Sequence, residues 1–497
     1  MKKSSMKNIT VFAFLVIPFI VNGDEKERDK NTDTYMPFFS ELDEGWNTMK
    51  PGGKTKCALG GTFEFYVNPG SSKKLMVYMQ SGGACWDAET CDPERTPKIG
   101  IKSVRDIQNP GIYSPGARTF GIMDKQHPEN PFKDWTLVVI PYRTSDVYLG
   151  NRDVVFELDD PSGNKRTYTI YFRGVINMQA VMGWIYDNFT SPENIFVSGT
   201  SAGGIATPYY ARLLAKQYPE IMITGLSDDI GSYCQTNLTG LNFRIWGVPE
   251  SLQGMPDLWE EGFDTPDLFI KSNLDLPNLR LFQIDHAHDQ RQKYWAELAG
   301  SMDPDVLFLI QTNRDKIALQ IPSFRGYTSG GIVHGVLREN LFYRQHTNGH
   351  RVRDWVAALA AGEAVDNVQC QPCNRPGFLY GQNDLMAVDH ALELLSSPEK
   401  WNPLHEMSNN CQGNEEINTM PCAVLLGIQK HAKESPLINP VFWDLVYSSI
   451  DRLGKEYDLT APIHYNNRPD AHWKEMLSLL EEMRERIVAE LDVSEND

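Results

Sequence analysis

The chain has 497 residues, 41% of them hydrophobic, enough for a large core and for more than one domain. Lys and Arg total 47 against 65 Asp and Glu, which gives a net charge of -18. That balance excludes nucleic acid and anionic membrane surfaces as general partners, since polyanions are repelled overall.

The first residues have the layout of an export signal. Lys2, Lys3 and Lys7 precede an apolar run over 11–21, and Val21-Asn22-Gly23 offers a cleavage point. The run is short for a bilayer and Pro18 interrupts it; an uncleaved anchor is the competing reading. No other stretch is apolar enough to span a membrane. The expected location is therefore outside the cytoplasm, secreted or periplasmic.

The eight cysteines are an even number, which in an exported chain predicts disulfides. Cys85 with Cys91 and Cys411 with Cys422 are candidate local pairs. Cys370-Gln371-Pro372-Cys373 lacks the second Cys-x-x-Cys that a metal site needs, so a structural disulfide is expected. Asn188-Phe-Thr and Asn237-Leu-Thr fit the glycosylation pattern, which matters only in a eukaryotic host.

Residues 24–56 are polar and turn-rich, and read as a lead-in. Strands are predicted from there on: 61–67, with alternating character, then 74–80, short and apolar. Ser81-Gly82-Gly83-Ala84-Cys85-Trp86 follows. Consecutive glycines after a strand are either a simple turn or a place where backbone N–H groups face a cavity. A buried strand over 135–142 leads into the polar loop Arg143-Thr-Ser-Asp146-Val-Tyr148-Leu-Gly150-Asn151. Residues 173–189 have a helical period.

The strand 194–198 then runs into Gly199-Thr200-Ser201-Ala202-Gly203-Gly204, and 205–218 is helical in spacing. Strand, Gly-x-Ser-x-Gly, helix is the pattern of a nucleophile elbow, a sharp turn that lifts a serine hydroxyl clear of a sheet. Side chains at the flanking glycines would collide with the neighbouring strand and helix. Further strands are predicted at 223–229, 279–284 and 306–310, and a helix at 351–363. Strands alternating with helices over about 300 residues predict a mostly parallel sheet covered on both faces. Beyond 365 the pattern changes to four helical segments, 384–395, 423–431, 440–457 and 472–491, separated by loops rich in Pro, Asn and Gly. The expected divisions are a signal at 1–23, a lead-in at 24–56, a catalytic domain at 57–365 and a mainly helical region at 366–497.

A serine nucleophile needs a base, and the base needs an acid to orient it. His334 follows a short apolar run at a loop start, whereas His346 and His350 sit in a polar stretch. For the acid, Asp285 and Asp289 both follow the strand 279–284, and the residues alone leave the choice open. The same stretch, Asp285-His286-Ala287-His288-Asp289, also has metal-ligand chemistry, which makes a metallohydrolase a competing reading. A third is a binding protein on a hydrolase fold, since fold does not imply activity.

Taken in order, Gly82-Gly83-Ala84-Cys85-Trp86 with Cys91, the 142–150 loop, Gly199 to Gly204, Asp289-Gln-Arg-Gln292, and His334 with Phe342-Tyr343 and Asp354-Trp355 resemble the pectin acetylesterase/Notum family of secreted carboxylesterases. The resemblance covers about residues 57–365. It implies an α/β-hydrolase with Ser201 as nucleophile, His334 as general base and Asp289, the Asp of Asp-x-x-Gln, as the acid. It implies oxyanion donors at the backbone N–H groups of Gly83, Ala84 and Ala202, a loop held by Cys85–Cys91, and no cofactor or metal. Its implied substrate is an acylated carbohydrate or another ester, with a longer acyl chain as the alternative to acetyl. The chain departs from the family at Arg143, where a Cys is usual, and at Gly335, where a Thr is usual. Arg143, Arg325, Arg338 and Arg344 are candidates for a local basic patch that would offset the acidic charge against a polyanionic substrate.

Overall fold

The computed structural model describes residues 34–94, 121–159, 165–233, 243–248, 252, 264–298, 300–331, 333–373 and 377–378, with single helical positions at 389, 392, 481, 484, 485, 488 and 489. The predicted export signal, the pair Cys411 and Cys422, Asn237, and the predicted helices 423–431 and 440–457 lie outside the described residues.

The strands are β1 (Asn47–Met49), β2 (Phe65–Asn68), β3 (Ser71–Met79), β4 (Trp135–Ile140), β5 (Arg152–Asp159), β6 (Lys165–Phe172), β7 (Asn194–Thr200), β8 (Ile223–Asp228), β9 (Leu279–His286), β10 (Arg325–Ser329), β11 (Gln345–Thr347), β12 (His350–Arg351), β13 (Val368–Gln369) and β14 (Gly377–Phe378). The helices are α1 (Gly174–Asn188), α2 (Ala202–Gln217), α3 (Thr265–Asn273), α4 (Gln290–Leu298), α5 (Val306–Gln320) and α6 (Val352–Ala360). Nine strands form one sheet in the order β1-β2-β4-β3-β7-β8-β9-β10-β13. Every neighbour pair from β4 to β13 is parallel, and β2 alone runs against the rest, antiparallel to both of its neighbours, β1 and β4. This is the expected α/β architecture with a mostly parallel sheet.

The central strands read as continuous apolar runs because both of their faces are buried. Alternation along each strand divides those residues between two cores. Leu75, Val77 and Met79 of β3 and Ile195 and Val197 of β7 pack with Val181, Ala206 and Leu268 from α1, α2 and α3. Met76, Tyr78 and Phe196 face the other way, toward Trp355, Val356 and Leu359 of α6.

Three features differ from the sequence expectation. Residues 306–310 open α5 rather than a strand. The buried positions Val306, Ile310, Asn313 and Ile317 recur every three or four residues, and Asp305 caps the first turn by accepting from the Phe308 N–H at 3.1 Å. A window of five apolar residues was too short to show that period. Phe308 and Leu319 are on the outer side of this helix, 62% and 80% exposed. Second, the polar lead-in supplies β1, and Val368 and Gln369, past residue 365, supply the opposite edge of the sheet. Third, residues 152–159 and 165–172 form the β5–β6 hairpin, for which the sequence reading has no strand; most of its side chains are exposed or half-buried.

Candidate active site

In the chain, β3 is followed by β4 on one side of it and, later, by β7 on the other. This reversal opens a crevice at the carboxyl ends of β3 and β7, where open parallel sheets place their ligands. Gly82 and Gly83 follow β3, and Ser201 follows β7; Met79 pairs with Gly199 in register. Asp228 and Asp229 stand at the same end of β8, Asp289 just past β9, and His334 past β10. The candidate residues therefore come from five strand ends along one edge.

Ser201 is buried and takes φ 54° and ψ −116°, between the end of β7 and the first turn of α2. That is strained backbone for a residue with a Cβ, and its own N–H is fixed to the Asp228 carbonyl at 2.8 Å. The flanking glycines are required by close approach. A Cβ on Gly203 would lie 2.1 Å from the Met79 carbonyl oxygen, and one on Gly199 would lie 2.4 Å from the backbone of Gly203. The expected collision with strand and helix is thus observed at both.

His334 Nδ1 stands 2.6 Å from Asp289 Oδ2. Asp289 is fully buried at the start of α4, where Oδ1 accepts from the N–H groups of Arg291 and Gln292, and Oδ2 accepts from Gln292 Nε2 at 3.1 Å. A carboxylate in this position also meets the positive end of the helix. The Gln of the Asp-x-x-Gln, Gln292, thus orients its Asp. With Nδ1 donating to Asp289, Nε2 is the ring nitrogen left to accept a proton.

Asp285 points elsewhere. Its carboxylate pairs with Arg314 at 2.7 Å and accepts from Gly231 N–H and Gln292 Nε2; burial, partly offset by Arg314, pushes it up to about 6. His286 is fully buried, with Nδ1 3.1 Å from both oxygens of Asp229 and Nε2 against the Gln345 amide. His288 is exposed. The Asp285-His286-His288 cluster is therefore dispersed, because alternation along β9 sends consecutive side chains to opposite faces. Among the described residues, the donor types that do gather are Asp229, Asp289 and His334, whose side-chain atoms lie within 4.8 Å of one another.

The loop after β3 is braced from beneath. Cys85 and Cys91 form a disulfide, Cys85 N–H donates to the Ser145 carbonyl, and the Trp246 indole donates to the Cys85 carbonyl at 2.7 Å. Asp146 organises the underlying loop by accepting from Thr144 Oγ1, Tyr148 N–H and Gly174 N–H. Burial pushes the Asp146 carboxyl up to about 6, against the pull of those donors. Among the described residues, the N–H groups of Gly83 and Ala84 donate to no protein acceptor. The ring edge of Trp295, which packs against Trp86 with centroids 5.7 Å apart, covers Gly83.

Three further expectations meet the structure. Cys370 and Cys373 are bonded to each other, whereas Cys57 is free and buried, with its thiol pushed up to about 11 by burial. Arg325 and Arg338 do not converge: Arg325 opens β10 and Arg338 follows the far end of that strand, about 13 Å of strand away. Asn188 has both amide atoms engaged, with the Trp184 carbonyl and the Phe39 N–H.

A sequence model of the pectinacetylesterase family matches residues 50–240. Over these residues the chain is similar to the pectin acetylesterase/Notum family. It is 26% identical over 200 residues to palmitoleoyl-protein carboxylesterase NOTUM of Schmidtea mediterranea, covering 37% of this chain and 35% of that protein. It is 27% identical over 183 residues to the Homo sapiens protein of the same name, covering 35% and 33%. It is 24% identical over 148 residues to pectin acetylesterase 4 of Arabidopsis thaliana, covering 29% and 32%. The chain spans about a third of the length of the curated relatives it matches.

Sequence reasoning missed Asp228, Asp229, Gln345 and Tyr233, and read Arg338 only as a candidate for a basic patch. The two aspartates hold the His334 loop: Asp229 accepts from Gly335 N–H, and Asp228 accepts from Val336 and Leu337 N–H and from Thr200 Oγ1. Burial and the charge of Asp229 push Asp228 up to about 8. Tyr233 lies in the neighbourhood of Ser201, and burial pushes its hydroxyl well above its ordinary value. Arg338 bonds Ser81 Oγ and the His334 carbonyl, and so links the two loops across the crevice. Consecutive Asp residues ending a strand were the one signal available in the sequence.

Proposed function

We propose that the chain is an exported serine carboxylic-ester hydrolase of α/β-hydrolase fold, acting through Ser201, His334 and Asp289. The observation that carries this is the 2.6 Å His334–Asp289 hydrogen bond on the same sheet edge as the strained Ser201. Ser201 Oγ attacks the ester carbonyl carbon while His334 Nε2 takes its proton. The tetrahedral oxyanion accepts from the N–H groups of Gly83, Ala84 and Ala202, the last at the start of α2, where helix N–H groups have no intrahelical partner. The alcohol leaves with the proton from His334. Water, activated by the same nitrogen, then releases the acid from the acyl-enzyme. No cofactor enters these steps.

The substrate class we favour is an acetylated polysaccharide, on the strength of the family match. A longer acyl chain is the second reading, supported by the palmitoleoyl-protein carboxylesterases among the relatives. Export is supported by the two disulfides, and no helix among the described residues is long and apolar enough to cross a membrane. Ser201→Ala should abolish hydrolysis of p-nitrophenyl acetate with the fold unchanged by circular dichroism; turnover retained by the purified variant would sink the assignment. A series of p-nitrophenyl esters of rising acyl length, run beside acetylated polysaccharide, separates the two substrate readings.

A further inference from the structure

A second Asp–His pair lies beneath the first. Asp229 is fully buried at the end of β8, with φ 53°. It accepts from His286 N–H at 2.9 Å, from His286 Nδ1 and from Gly335 N–H, the residue after His334. His286 is fully buried too, and its Nε2 faces Gln345 Oε1 at 3.1 Å. The polar atoms of Asp229 and His334 lie within 4.8 Å of each other. The proposed triad uses neither Asp229 nor His286.

We infer that Asp229 is a positioning residue for the general base, stabilising the imidazolium of His334 as it forms, and that His286 sets how strongly by holding a balancing positive charge behind it. The inference rests on the Ser201–His334–Asp289 reading. Geometry carries it: one carboxylate fixes the backbone beside His334 and lies close to its ring, while its other side is bound to a buried imidazole. The charge states agree. Burial works to raise Asp229, but His286 holds it below the ordinary carboxylate value. Burial works against a charged His286, but the charge and hydrogen bond of Asp229, together with Gln345 and Asp289, raise the imidazole to about 9.

The groups around this assembly are few. His334 meets Asp289 from the β9–α4 turn, Asp229 from β8 and Arg338 from its own loop, the last through the His334 carbonyl. His286 meets Asp229, the neutral Gln345 and, more weakly, the charge of Asp289. Asp228 is held by Thr200 and the 336–337 N–H groups. Asp285 is neutralised by Arg314.

The test is the pH profile of kcat/KM for p-nitrophenyl acetate, measured with the full chain. Its acidic limb marks the protonation of the general base. His286→Gln keeps a donor toward Asp229 but removes the positive charge. The carboxylate is then uncompensated, a protonated base is favoured, and the acidic limb should move up by about one pH unit. Asp229→Asn keeps an acceptor for Gly335 N–H and removes the negative charge, so the limb should move down by about half a unit, with kcat reduced about tenfold. Should His286→Gln fail to fold, Gln345→Leu strips the acceptor from Nε2–H, disfavours the charged imidazole, and should move the limb up as well. A role confined to holding the loop would leave every limb in place. Unmoved limbs with Ser201→Ala inactive would overturn this inference alone, whereas an active Ser201→Ala would overturn the triad reading as well.

Discussion

Asp289 receives the Nδ1–H of His334 while three other donors, the backbone N–H groups of Arg291 and Gln292 and the Gln292 side-chain amide, hold its carboxylate still. The proposed acid is therefore oriented before the proposed base is. A carboxylate so saturated fixes both the ring angle and the tautomer of the histidine.

Asp289→Asn tests that arrangement. The amide presents an N–H toward Nδ1 and so drives the ring proton to Nε2, where it blocks acceptance from Ser201. Turnover of p-nitrophenyl acetate should fall by about three to four orders of magnitude, with KM changed little. A loss confined to KM would show that Asp289 shapes binding instead.

The sequence made the alternating strands legible because their apolar runs are buried on both faces, and it made Ser201 legible because the glycines around it answer a steric demand that only glycine meets. It left Asp285 and Asp289 equal, since both follow β9 and the choice depends on a loop that returns from β10 with His334. Asp229, His286 and Gln345 come from three separated segments and meet only in space. The same holds for residues 306–310, where period, not apolarity, separates helix from strand, and five residues carry too little of it.

The Cys85–Cys91 bridge closes a loop of seven residues under the proposed oxyanion donors. The serine double variant should lose about 2 kcal/mol of stability by loop-closure entropy, read as a lowered Tm. The Trp246 and Ser145 contacts to Cys85 still hold one side, so the loop should loosen rather than unfold. The expected kinetic signature is about a tenfold fall in kcat with a smaller change in KM, as donors aimed at a transition state lose their aim.

Asp264 caps α3 by accepting from Thr265 N–H, and burial pushes its carboxyl up to about 6. Because the folded state holds this proton more tightly than the unfolded one, the group favours folding most below pH 4, and its contribution declines as pH rises to 6. Asn is an equally good cap that does not titrate. In Asp264→Asn the fall of Tm between pH 4 and pH 6 should flatten, while α3 and the activity survive. An unchanged slope would mean that Asp264 is hydrated in solution.

Gly335, next to His334, has φ +90°, and a Cβ there would lie 2.7 Å from Thr200 Cγ2 and 2.8 Å from Arg338 Nε. A side chain meets two obstacles at once: the left-handed backbone, which costs about 1 kcal/mol outside glycine, and the wall of the elbow. Relief requires the loop to move away from Thr200, and the Asp229 contact to Gly335 N–H is the bond that would stretch. Gly335→Ala should therefore displace His334 from Ser201 before it unfolds the protein. The measurements are kcat for p-nitrophenyl acetate and the rate of covalent labelling by a serine-directed phosphonate. Both should fall by about a hundredfold or more, since a misplacement near 1 Å at a reacting group has that effect. Tm should drop only modestly, because the sheet and α2 are untouched. If labelling stays fast while turnover falls, the base still reaches Ser201, and the defect lies in the later attack of water on the acyl-enzyme.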